Sequence, residues 1–248
     1  MKKTRTSVVN YLIFTVLFAG AALITGKAAL ETHFDTSEVT APTIAEAPII
    51  QLVIDPGHGG EDSGANVGDV LEKELNLAVS ECVSDLCTLF GYSHKMTRTD
   101  DRLLYDHYDD LTDYTGKKKT YDLKNRLRIA EECGAELFVG IHMNKFPQSR
   151  YRGLQVYYSA NTDESETAAR LVQSYTQKYI APDNNREIKA SGDSIYILKR
   201  ISLPAILVEC GFISNPEECT ALQLPKYRAQ LSTVIFSSCA EYLVSREK

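Results

Sequence analysis

Three short apolar runs, Leu52–Ile54, Leu137–Ile141 and Ala205–Val208, set the tightest limit on what this chain can fold into. None alternates apolar with polar residues, so each is expected to be buried on both faces, as strands are in a parallel sheet covered by helices. Helical periods lie between them. Leu75, Ala78, Val79, Cys82, Leu86 and Leu89 recur at three and four and stop at Gly91. Leu123, Leu127, Ile129 and Ala130 mark a second helix ending at Gly134. Further helices are expected over roughly residues 164–179 and 226–243, and strands at Lys95–Thr97, Leu154–Tyr158 and Ile195–Leu198. This alternation predicts an α/β fold: a single domain with a largely parallel central sheet of about six strands, flanked by helices on both faces.

The apolar runs lead straight into residues that ligate metals or move protons. The first precedes His58, the second His142, the third Glu209. Open α/β sheets bind ligands outside the carboxyl ends of their strands, so all three are expected on one rim. Two histidines and a glutamate around an open water position form a catalytic zinc arrangement. Glu72 and Glu74, after the glycine-rich loop Gly57–Gly68, are candidates for the carboxylate. Two positions apart on a helix, they point to roughly opposite sides, and only one can reach a metal. Spacing does not choose between them.

Charge narrows the partners. The chain of 248 residues carries a formal net charge of −6, but its first 30 residues hold four cations and no acid. Residues 31–248 therefore carry 23 cations against 33 acids, a net −10, which argues against a nucleic-acid partner. Lys2, Lys3 and Arg5 before the uncharged stretch Ser7–Gly26 have the layout of an export signal or an uncleaved membrane anchor. We therefore expect residues 1–30 to be a signal or anchor, 31–48 a flexible tether rich in Thr, Glu, Ala and Pro, and 49–248 the folded domain. That layout places the domain outside the cytoplasm. Six cysteines in an exported chain suggest disulfides, yet Cys82 and Cys87 diverge on one helix, and Cys133, Cys210 and Cys239 sit in apolar runs. Mostly free thiols are expected.

Four ordered motifs then carry a resemblance. Ile54-Asp55-Pro56-Gly57-His58-Gly59-Gly60, Glu72-Lys73, Ile141-His142-Met143-Asn144 and Val208-Glu209-Cys210-Gly211-Phe212-Ile213-Ser214-Asn215 resemble the zinc-dependent N-acetylmuramoyl-L-alanine amidases of the Amidase_3 type. Thr97-Arg98 with Asp101, and Arg126 before the second histidine, are similar to that family's pattern as well. The resemblance spans essentially the whole chain beyond the tether. It implies one zinc ion on His58, Glu72 and His142, selecting Glu72 over Glu74, with Glu209 as the catalytic residue. The implied substrate is peptidoglycan, cut between the lactyl group of N-acetylmuramic acid and L-alanine. Cys210 and Met143 depart from the usual residues without altering a ligand.

The excursion from Asp100 to Tyr121, the single domain and the N-terminal apolar segment resemble the narrower spore-cortex type called CwlD, which implies a role in sporulation and germination. A membrane association through residues 1–30 and an unidentified protein activator are further expectations. The competing readings are a wall-binding module without catalysis, or a zinc carboxypeptidase or deacetylase acting on peptidoglycan. Glu209 paired with Arg126 or Lys199 would be the plain structural alternative to a catalytic role. Arg126 itself is weighed between an acid partner and the site, and Tyr105, Tyr108, Tyr114 and Tyr121 between a glycan groove and surface packing.

Overall fold

The computed structural model describes residues 50–246, so the signal or anchor and the tether expected over residues 1–48 lie outside the described residues. In chain order the elements are β1 (Leu52–Pro56), the small β2 (Asn66–Val67) and β3 (Val70–Leu71), α1 (Glu72–Phe90), β4 (His94–Met96), α2 (Lys118–Cys133), β5 (Leu137–Asn144) and β6 (Gln155–Tyr158). They continue with α3 (Asp163–Tyr179), β7 (Lys189–Ala190), α4 (Tyr196–Arg200), β8 (Ala205–Phe212), α5 (Pro216–Gln223) and α6 (Pro225–Arg246).

Among the described residues the main sheet has six strands in the order β4-β1-β5-β8-β6-β7. The first four run parallel, β6 is antiparallel to β8, and β7 is parallel to β6. The three apolar runs are the adjacent central strands β1, β5 and β8. Their continuous apolarity follows from two-sided burial. Leu52 and Ile54 of β1, with Val139 and Ile141 of β5, face Leu75, Val79 and Val83 of α1 and Leu231 and Ile235 of α6. Val53 and Phe138 face the other way, toward Ala130 of α2 and Ile197 and Leu198 of α4. Burying each such aliphatic side chain stabilises the fold by about 1.5–3 kcal/mol, so an alternating strand would not hold this centre.

One strand expectation is corrected. Ile195–Leu198 does not join the sheet; its residues enter the short helix α4. Lys199 N and Ile201 N donate to the carbonyls of Ile195 and Ile197, which meets backbone hydrogen-bonding demand without a neighbouring strand. The second edge of β8 is already taken by β6. Helix α5 was not foreseen. Asn215 caps it by accepting from Glu217 N and Glu218 N, with Pro216 in the first turn.

Candidate metal centre

Strand β1 delivers Gly57 and His58 to the rim. His58 has φ 63°, in the left-handed region that non-glycine residues seldom occupy. The turn is gripped from below. Arg126 Nη2 donates to His58 O at 2.6 Å and its Nη1 to Pro56 O at 2.7 Å. Arg98 Nε donates to Pro56 O at 2.9 Å and Arg98 Nη2 to Gly57 O at 3.1 Å. Arg126 is fully buried and is neutralised by Asp55 at 2.6 Å and Asp122 at 2.8 Å. Burial works against a charged Asp55, yet Arg126 and the Thr97 hydroxyl outweigh it and hold this carboxyl below its ordinary range. Lys73 ties down the far side of the loop, donating to Gly60 O and to Asp101, each at 2.7 Å.

Glu72 opens α1 and is buried, whereas Glu74 is exposed on the opposite side. Its Oε2 accepts from Ala65 N at 2.7 Å and its Oε1 from Met143 N at 3.1 Å. Oε1 also lies 3.0 Å from His142 Nδ1 and 3.3 Å from His58 Nε2. Burial raises the pKa of this carboxyl, but the two imidazoles hold it well below the usual carboxylate range. His142 comes from the end of β5, where its ring meets that of His58 edge-on at 5.1 Å. Gly57 makes room for it, because a Cβ there would lie 2.1 Å from His142 Cε1. Ligand atoms of His58, Glu72 and His142 all fall within 4.8 Å of one another. Two imidazole nitrogens and one carboxylate oxygen so gathered fit a metal ion of the zinc type.

One orienting residue was not foreseen. Asp62 Oδ2 lies 2.9 Å from His58 Nδ1, the ring nitrogen facing away from Glu72. Carboxylates in this place fix the tautomer and orientation of metal-ligating histidines. Burial works against the imidazolium, but bonds to Asp62 and Glu72 raise the His58 pKa to about 9. An Asp four residues after the histidine, in a glycine-rich loop, was the available signal.

Glu209 stands beside His142 in the β5–β8 register. Its Oε2 is buried and has no hydrogen-bond partner among the described residues. Burial pushes the carboxyl up to about 7, partly offset by the two histidines. The pairing with Arg126 or Lys199 is not what the structure has: Arg126 bonds Asp55 and Asp122, and Lys199 bonds Asp193 at 2.6 Å. Below His142 and Glu209 a cavity of about 250 Å3 opens on the α2–α4 face, floored by Gly140 and Leu207. The tyrosines of the 100–121 excursion pack on themselves, Tyr105 on Tyr114 and Tyr114 on Tyr121, and Tyr108 bonds Glu132. All six cysteines are free thiols, as their positions imply.

A largely parallel α/β sheet with a metal-competent cluster and a desolvated carboxylate on its carboxyl rim suits metal-assisted hydrolysis. The family profile of N-acetylmuramoyl-L-alanine amidases, Amidase_3, matches residues 52–240. The chain is 31% identical over 195 residues to the germination-specific N-acetylmuramoyl-L-alanine amidase of Bacillus subtilis, covering 79% of this chain and 80% of that protein. Its fold matches the CwlD amidase of Clostridioides difficile, solved in complex with the GerS lipoprotein. There the TM-score is 0.72 at 35% identity, over 79% of this chain and 98% of that one. It also matches the amidase AmiC2 of Nostoc punctiforme, with TM-score 0.64 at 30% identity, over 80% of this chain and 99% of that one. The chain belongs to the Amidase_3 family of N-acetylmuramoyl-L-alanine amidases, enzymes of peptidoglycan. Among the described residues no helix is long and apolar enough to cross a membrane.

Proposed function

We propose that this amidase is zinc-dependent, with His58, Glu72 and His142 holding one ion and Glu209 as the catalytic residue. The observation that carries the reading is the convergence of three donor atoms within 4.8 Å beside a buried carboxylate oxygen that lacks a partner. When bound, zinc supplies Lewis-acid polarisation of the amide carbonyl and makes water more acidic. The chain's own groups do the rest. Glu209, with a pKa near neutrality, removes a proton from the attacking water. As the carbon–nitrogen bond breaks, Glu209 returns that proton to the departing nitrogen of L-alanine. The oxygen of water ends in the lactyl carboxyl group of N-acetylmuramic acid, whose remaining proton passes to the freed amine or to solvent, and Glu209 is regenerated. Asp62 holds His58 in orientation, and Arg126 and Arg98 hold the backbone that carries it.

Glu209→Gln tests the assignment. Zinc content should remain, while hydrolysis of purified peptidoglycan should fall by about 100-fold or more, the usual scale of a general acid–base contribution. Full activity with zinc bound would remove Glu209 from the mechanism.

We further propose that residues 1–30 export or anchor the protein, that 31–48 tether it, and that 49–248 act outside the cytoplasm on spore cortex. The export layout of the N-terminus and the likeness to a germination-specific relative support this. A lipoprotein is a natural candidate partner, since the similar CwlD was solved with one. Spores of a deletion strain should lack muramic lactam; its normal presence would reject the cortex role.

A further inference from the structure

Cations gather on the rim beyond Glu209, on the β6 side, some of them paired with acids: Arg152 faces Asp183 at 3.7 Å and Glu217 at 3.5 Å. The stretch from Lys145 to Arg152 holds Lys145, Arg150 and Arg152 and no acid, in a chain with net charge −6. Arg186 joins it. Gln155 is the register partner of Glu209 across β6 and β8, and its Oε1 accepts from Arg186 Nη1 at 2.9 Å. Arg186 Nε donates to Arg152 O at 2.6 Å, and the guanidinium lies over the Phe212 ring at 4.5 Å. Tyr157, two residues along the same face of β6, lies within the field of both Glu209 and Arg186. Phe212 continues into Tyr151 and Phe146, an aromatic ledge whose outer members are 36% and 43% exposed.

Of the cations in this stretch, Arg152 pairs with Asp183 and Glu217, Lys145 donates to Asn66 O, and Arg150 lies over the Tyr151 ring. Lys73, Arg126 and Lys119 each pair with a carboxylate, and Arg98 is saturated by backbone carbonyls. Arg186 is held in place by three contacts, yet among the described residues no carboxylate forms an ion pair with it. A fixed guanidinium with spare donors, bonded to the register partner of the catalytic carboxylate, is suited to receive an anion. Peptidoglycan offers one a residue away from the scissile amide. The residue after L-alanine presents a free carboxylate, or a carboxamide where the wall is amidated.

We infer that Arg186, fixed by Gln155 and Phe212, binds the carboxylate of the substrate's peptide next to the scissile amide and thereby selects acidic over amidated stems. The inference rests on the amidase reading, with Glu209 marking the scissile bond. Arg186 recognises the leaving peptide and Glu209 transfers the proton.

The test compares two peptidoglycan preparations freed of attached anionic polymers, one with the carboxylate and one with the carboxamide at that residue. The zinc-loaded full chain should cleave the acidic form at least about tenfold more efficiently in kcat/KM, the scale of one hydrogen bond to a charged group. Arg186→Met should erase the preference by lowering activity on the acidic form alone, with zinc content unchanged. Arg186→Lys should keep part of it. The amidated substrate controls for folding, because structural damage would lower both activities together. Equal cleavage of both forms by the unaltered protein, or an equal loss on both in Arg186→Met, overturns the assignment. So does a loss seen only on walls still carrying anionic polymer. Should the unaltered, zinc-loaded protein cleave neither preparation, the amidase reading fails, and the subsite assignment with it.

Discussion

Arg126→Leu should separate the structural from the chemical role of the buried ions under the site. The shorter apolar side chain removes four hydrogen bonds, to Asp55, Asp122, Pro56 O and His58 O. Asp55 and Asp122 then stay buried without their cation, and breaking a buried pair in this way costs about 3–5 kcal/mol. Against a total stability of about 5–15 kcal/mol for a typical domain, that is a large fraction. At about 2–4 °C per kcal/mol for a chain of this size, the melting temperature should fall by about 6–20 °C. The effect carries a pH signature. In the unaltered protein Asp55 has a depressed pKa, so its stabilisation is present above pH ~4 and is lost as pH falls through the lower folded value. In the variant, burial is opposed only by the Thr97 hydroxyl and His142, so the folded pKa of Asp55 moves up from its depressed value and the stabilisation present above pH ~4 shrinks or reverses. The gap between the two proteins is therefore widest near neutrality and narrows below about pH 4. Urea unfolding at several pH values, with chelator present so that metal binding does not contribute, measures it. A gap below about 1 kcal/mol at pH 7, or one of equal size at pH 7 and about pH 3, would refute the reasoning.

Other outcomes follow from the same geometry. Asp62→Asn should lower zinc affinity by about 10–100-fold in competition with a metal indicator, because His58 loses its orienting carboxylate; unchanged affinity would count against that role. Gly57→Ala should abolish metal binding while leaving a folded sheet by circular dichroism, since the new Cβ would occupy the space of the His142 ring. Thiol titration of the denatured, unreduced protein should return all six cysteines, and fewer would mean that disulfides form.

The central sheet was legible because its three middle strands are apolar on both faces, a pattern that burial between helix layers imposes. His58, His142 and Glu209 were legible for the same reason, since each sits where such a run ends. Glu72 and Glu74 were not separable from spacing. The choice depends on the rotational phase of α1, set by packing of Leu75, Val79 and Val83 against the sheet. Ile195–Leu198 reads as a strand in the sequence because four apolar residues look alike as an inner strand or as a short helix lying on a sheet. What decides is whether a neighbouring strand edge remains open, and that is a property of the whole topology. Asp62 is not legible in the sequence because its role exists only once the glycine-rich loop folds back onto His58. Arg186 lies in a segment without period, and its meaning comes from Gln155 being opposite Glu209 across two strands distant in sequence.

The outermost strands of the sheet are its shortest, β4 with three residues and β7 with two. Each carries an exposed lysine, Lys95 on β4 and Lys189 on β7. Short, charged borders offer little template for another chain to pair with. Copies crowded together at one surface would thus resist zipping edge to edge, and the enzyme would remain dispersed and individually able to meet its polymer.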